Sequence, residues 1–165
     1  MQHISWFKKN EYGTREMDTL TGRTAYMKQN GYPAHLPQPG TNIWAIGGGK
    51  GGVGKSMVTA SFGILLSRLG NKVLMVDADL GAPNLHTFMG IEGGKHTLSS
   101  FLKGKTEDLS DTVICTPIPN LELISGARDP FGVADLDGKS IARLKEALRK
   151  TEYDYVLMDI GPGTS

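Results

Sequence analysis

The sequence predicts an α/β fold in which helices cover both faces of a mostly parallel sheet. Two observations predict it. Apolar runs at 43–46, 72–76 and 155–158 lack polar alternation, as suits strands buried on both faces. Helical apolar spacing fills segments between them, and such alternation winds a parallel sheet whose ligands sit at the C-terminal strand ends.

The 165 residues fit one domain of ordinary size. With 18 basic and 17 acidic residues the net charge is +1, which argues against a nucleic-acid coat and a polybasic membrane anchor. No run approaches the ~18 apolar residues of a membrane span. The start, Met1 to Lys9, lacks the apolar stretch of a signal peptide. One cysteine, Cys115, excludes an internal disulfide and a Cys-rich zinc module, and fits a cytoplasmic setting. It lies inside an apolar run and reads as inert core. The 22 glycines, about twice the average share, follow no repeating period and so answer to local demands.

Residues 1–41 read as a flexible arm or linker. They carry five basic residues (Lys8, Lys9, Arg15, Arg23, Lys28) against Glu11, Glu16 and Asp18, and end in a Pro- and Gly-rich stretch. Residues 42–165 read as the folded domain. After the strand at 43–46, Lys55 to Leu69 carries Val58, Phe62, Leu65, Leu66 and Leu69 at helical spacing, and Gly70 stands where a helix ends. Lys72–Val76 is a second strand, stopped by Asp77. Thr97 caps a short helix through Leu102. Thr112–Thr116 and Leu121–Ser125 are two more strands. Asp137 caps a helix through Lys150 with Ile141, Leu144 and Leu148 on one face. Tyr155–Met158 is the last strand, stopped by Asp159.

The loop from Gly47 to Ser56 contains G-x-x-x-x-G-K-[ST], with Gly49 at its start and Gly54, Lys55 and Ser56 at its end. Glycines let a backbone approach a phosphate, successive N–H groups form an anion nest, and the following helix adds the positive end of its dipole. Lys55 then reaches the β- and γ-phosphates and the Ser56 hydroxyl takes Mg²⁺. A dinucleotide fingerprint, Gly47-x-Gly49-x-x-Gly52, competes in the same loop, with Asp77 as its ribose acid. In that reading Lys55 and Ser56 have no purpose.

Asp159, after four apolar residues, has the form of a strand-end acid that organises Mg²⁺ and its waters. Asp77 and Asp79 stand at i and i+2, so a continuing strand points both the same way, where like charges call for a cation. Asp79 is the better candidate to orient water. Asp77 supports Mg²⁺ or packs at the strand end. His86 and His96 lie in different segments without metal-ligand spacing and read as loop residues.

Lys50 to Ser56 resembles the deviant Walker A motif of the MinD/ParA family, marked by an extra lysine, here Lys50. Asp77 to Leu85 resembles that family's switch I, and Asp159 to Gly163, with Gly161, Pro162 and Gly163, resembles its switch II. The nearest branch by this resemblance is the MinD-like flagellar number regulators FlhG and FleN. The resemblance implies a P-loop ATPase fold over residues 42–165 and a nucleotide site of Gly49, Lys50, Gly51, Gly52, Val53, Gly54, Lys55, Ser56 and Met57. It implies ATP and Mg²⁺ as cofactors, Ser56, Asp159 and Asp77 around the metal, and Lys50, Lys55 and Asp79 in catalysis. It also implies a nucleotide-dependent face-to-face homodimer, with Lys50 reaching the partner's phosphates, and a protein partner or activator that reads the dimer. No direct nucleic-acid contact is expected. The family pattern continues past switch II, so the chain reads as an N-terminal fragment with an incomplete sheet. Any membrane contact then belongs to a later segment. A nucleotide-binding scaffold or metal-cluster carrier of the Mrp type is the alternative.

Overall fold

The computed structural model describes residues 7–9, 15–17, 41–126 and 138–161. The strands are β1 (Phe7–Lys9), β2 (Arg15–Met17), β3 (Asn42–Ile46), β4 (Val73–Asp77), β5 (Val113–Cys115), β6 (Leu121–Ile124) and β7 (Tyr155–Asp159). The helices are α1 (Lys55–Arg68), α2 (Leu85–Phe88), α3 (Leu98–Leu102) and α4 (Gly138–Arg149), with a 3₁₀ turn at Leu109–Thr112. Strands β3 to β7 form one sheet in the order β3-β7-β4-β6-β5, parallel except where β5 meets β6. This is the predicted architecture, with one antiparallel strand at its edge.

Strand β4 is central because its residues are apolar on both faces. Val73 and Met75 pack with Leu66, Leu85 and Leu157 beneath α1 and α2. Leu74 and Val76 pack with Phe101, Leu144 and Leu148 beneath α3 and α4. Each such side chain contributes about 1.5–3 kcal/mol on burial, so this strand anchors both layers. Thr97 caps α3 as expected, in a capping box with Ser100. Asp137, the expected cap of α4, lies outside the described residues.

Three expectations about packing are corrected. The stripe Val58, Phe62 and Leu65 is exposed; α1 instead buries Thr59, Ala60, Gly63, Leu66 and Ser67. A methyl group on Gly63 would sit 2.7 Å from Met75 Sδ, so small residues bring this helix close to β4. Strand β3 is not buried on both faces: Ile43 and Trp44 are 37% and 43% exposed, because within the described residues β3 pairs only with β7. Trp44 packs edge-on against Phe62 and Tyr155 instead. On α4, Leu144 and Leu148 are buried but Ile141 is exposed.

Cys115 is also misplaced by the sequence reading. It lies on the edge strand β5 and is exposed. Partial burial, with the neighbouring Glu122 carboxylate, pushes its thiol up, which disfavours the reactive thiolate. Strands β1 and β2 pair antiparallel, Phe7 opposite Met17. The expectation of a flexible arm over residues 1–41 did not include this pairing.

Candidate functional site

Strands β3, β7 and β4 lie side by side, so their C-terminal ends collect the polar residues that stop each apolar run. Asp159 is in register with Ile46 on one side and with Asp77 on the other. The loop after Ile46 therefore starts beside Asp159.

That loop has the backbone an anion cradle needs. Gly52 and Gly54 have φ of 73° and 90°, a region that costs other residues roughly 1–2 kcal/mol. Among the described residues a Cβ at Gly49, Gly51, Gly52 or Gly54 would meet nothing within 4 Å. Packing does not demand these glycines; the loop borders open space. Gly54 is the N-cap of α1 and offers no side-chain cap. The first-turn N–H groups at Lys55, Ser56 and Met57 are thus left for a ligand. Lys55 Nζ donates to the Lys50 carbonyl at 3.4 Å, closing the loop over itself. Lys50, Val53 and Met57 are exposed around the rim.

Asp159 is 1% exposed, and among the described residues neither carboxylate oxygen receives a hydrogen bond of good geometry. Burial raises its pKa above the ordinary carboxylate range; the Ser56 hydroxyl and Lys55 ammonium beside it oppose the shift, and the Asp79 charge adds to it. Buried, unpartnered carboxylate oxygens next to a hydroxyl suit a hard divalent cation that keeps several waters, as Mg²⁺ does. Among the described residues no three His, Cys, Asp or Glu gather as a metal cluster. Asp159 and Ser56 would hold the ion, with water and ligand oxygens completing its shell.

Asp77 departs from its expected metal role. It is fully buried, and its carboxylate accepts the backbone N–H groups of Asn84 (2.8 Å), Leu85 (2.9 Å) and Asp79 (3.3 Å). Both oxygens are committed to the loop from β4 to α2, so Asp77 anchors that loop. The dinucleotide reading loses its ribose acid for the same reason. The paired arrangement of Asp77 and Asp79 also fails, because the strand ends at Asp77. Asp79 is half-buried on the loop, and its Oδ1 accepts the Ala82 N–H at 3.1 Å. Gly161 lies directly against it. Pro162 and Gly163 lie outside the described residues. His86 belongs to α2 rather than a loop, and His96 lies in a bend.

Desolvation, and then the Asp159 charge, raise Asp77 to about 6 against the pull of its hydrogen bonds. A carboxylate raised on folding favours the folded state at low pH. Its contribution is full below about pH 4 and lost as pH rises through 6. Between pH 7 and 4 this group should add about 1–3 kcal/mol of stability. Asp159, shifted in the same direction, adds to the trend. Urea unfolding of the parent chain and Asp77→Asn across this range checks it; a pH-independent difference between them rejects the assignment.

A cavity of about 1420 Å³ lies at the opposite ends of the strands and contains none of the predicted site residues. Two of its polar side chains are held by the fold: Tyr153 Oη donates to Glu122, and Arg143 donates to the carbonyls of Phe101, Thr106 and Glu107. The segment Leu123 to Gly126 resembles a family segment in the sequence, but that resemblance gave Gly126 no role; in the structure it closes on the Asp79 loop from the β6 side.

Comparison with known proteins agrees with this geometry. The CobQ/CobB/MinD/ParA nucleotide binding domain matches residues 44–163. The septum site-determining protein MinD of Synechocystis is 34% identical over 122 residues, 73% of this chain and 45% of that protein. An iron-sulfur cluster carrier protein of Aquifex aeolicus is 32% identical over 126 residues, 74% of this chain and 33% of that protein. The structure of MinD from Pyrococcus horikoshii complexed with Mg-ADP superposes with a TM-score of 0.67 at 35% identity, covering 76% of this chain and 51% of that one. The chain thus spans between 33% and 51% of these relatives' lengths. The family model spans both the loop from Gly47 to Met57 and the strand that ends at Asp159, and the chain belongs to the CobQ/CobB/MinD/ParA family of nucleotide-binding domains.

Proposed function

We propose that this chain binds MgATP and hydrolyses it as a dimerisation switch of the MinD/ParA type. The observation that carries the reading is Asp159, whose buried, unpartnered oxygens sit beside Ser56 and Lys55 at the mouth of the loop. The loop N–H groups from Gly49 to Met57 receive the phosphates, and Lys55 neutralises the β- and γ-oxygens. When bound, Mg²⁺ supplies charge for the leaving phosphate oxygens. Asp79, hinged by Ala82 and Gly161, orients the attacking water. Lys50 extends from the rim to the phosphates of a second copy. Hydrolysis then returns the dimer to monomers that a partner distinguishes. The septum-site relatives support a role in placing a cellular structure, and the family resemblance extends this to control of flagellar number.

Phosphate release measured with and without EDTA tests the reading. Turnover should require Mg²⁺, and Asp79→Ala should lower it about 10²–10⁴-fold with ATP binding retained. Tight NAD binding without ATP binding rejects it. The carrier relative favours a second reading, a nucleotide-dependent metal-cluster carrier with little turnover. Stoichiometric iron in purified protein, with slow hydrolysis, selects that one.

A further inference from the structure

The geometry points to Gly161 and Gly126 as positioning residues for Asp79, a clasp formed by the two strands that flank β4. The proposal rests on the reading of Asp79 as the group that orients water. A methyl group at Gly161 would lie 2.9 Å from both Cγ and Oδ1 of Asp79 and 3.2 Å from Oδ2. A methyl group at Gly126 would lie 2.8 Å from Pro83 Cβ and 3.0 Å from the Asp77 carbonyl oxygen. Neither glycine has a positive φ, so either backbone would accept another residue. What is missing at both is room.

The loop that carries Asp79 therefore passes between the end of β6 and the end of β7. Its inner side is tied down by Asp77 through three N–H groups. Its outer sides are limited by two glycines. Among the described residues the Asp79 carboxylate itself receives one backbone hydrogen bond, from Ala82. Its position is thus set largely by the bare backbone at Gly161. Because Gly161 is two residues beyond Asp159, a movement of the β7 loop that closes this gap must displace the Asp79 carboxylate.

The test is a double-mutant cycle on thermal stability, run beside nucleotide binding and turnover. Gly161→Ala should lower the Tm by roughly 2–8 °C. In the Asp79→Ala background, where the carboxylate is gone, the same change should cost little. Gly126→Ala clashes with a ring and a backbone carbonyl, so its cost should persist in that background. Gly161→Ala should also lower kcat about 10²-fold, as an ångström of misplacement does, with ATP affinity unchanged. Additive costs of Gly161→Ala and Asp79→Ala overturn the contact. An affinity loss matching the kcat loss overturns the positioning role. Coupled stabilities in a parent chain that never hydrolyses ATP support the contact and remove the ATPase reading instead.

Discussion

Replacing Lys50 by alanine is expected to cut ATP turnover by about 10³–10⁵-fold, the range measured where a cationic finger completes a phosphoryl-transfer site in GTPases. The fold should not notice, because Lys50 is exposed on a loop whose packing it does not support. Its main-chain carbonyl, which accepts the Lys55 ammonium, survives the substitution. The cationic head is thus separable from the loop. If it acts across a dimer, the defect belongs to the neighbour. A Lys50→Ala subunit keeps its own Asp79, and an Asp79→Ala subunit keeps its own Lys50. Mixing the two inactive variants should rebuild one complete site per mixed dimer and restore turnover. Failure of the mixture to recover, or an undiminished rate in Lys50→Ala alone, removes action in trans.

Lys55→Ala should act one step earlier, on binding. A charged hydrogen bond to phosphate is worth ~1.5–3 kcal/mol, so affinity for MgATP should fall about 10–100-fold. Lys55 is also a positive charge that favours ionised Asp159 against burial. Its loss should weaken Mg²⁺ binding alongside the nucleotide. Lys55→Arg should not rescue, because a planar guanidinium cannot replace a compact ammonium inside a closed loop. Calorimetric titration with MgATP, and with ATP alone, separates the two contributions. Equal affinities for parent and variant would place the phosphates elsewhere.

The site was legible where its chemistry is local. Gly49 to Ser56 carries two positive-φ glycines, a cation and a hydroxyl close together in the chain, and that combination suits an anion nest. The strand-end acid Asp159 was legible because an apolar run stopped at it. Contacts between distant segments were not. The three donors to Asp77 come from residues up to eight positions later, so a strand-end acid gave no hint that its oxygens were taken. Gly161 and Asp79 are 82 residues apart, and nothing local marks their contact. Helical spacing found α1 but not its buried face. Apolar residues surround that helix, and closeness to β4 selected the small ones, Gly63 against Met75. Spacing reports amphipathicity and cannot weigh a glycine that lets two backbones approach.

The sheet order also sets when the site can exist. Strand β3, which launches the phosphate loop, pairs with β7, and Ile46 meets Asp159 only after 113 more residues have been made. At the usual pace of synthesis that is on the order of 10 s. Through this interval Ile43 and Trp44 have, among the described residues, no strand to lie beside, and the two halves of the cradle are still separate. Asp159 cannot join the phosphate loop before β7 is made, since β7 both supplies it and joins β3 to β4. A nascent chain of this protein thus carries an apolar strand without its β7 neighbour until the last described strand emerges.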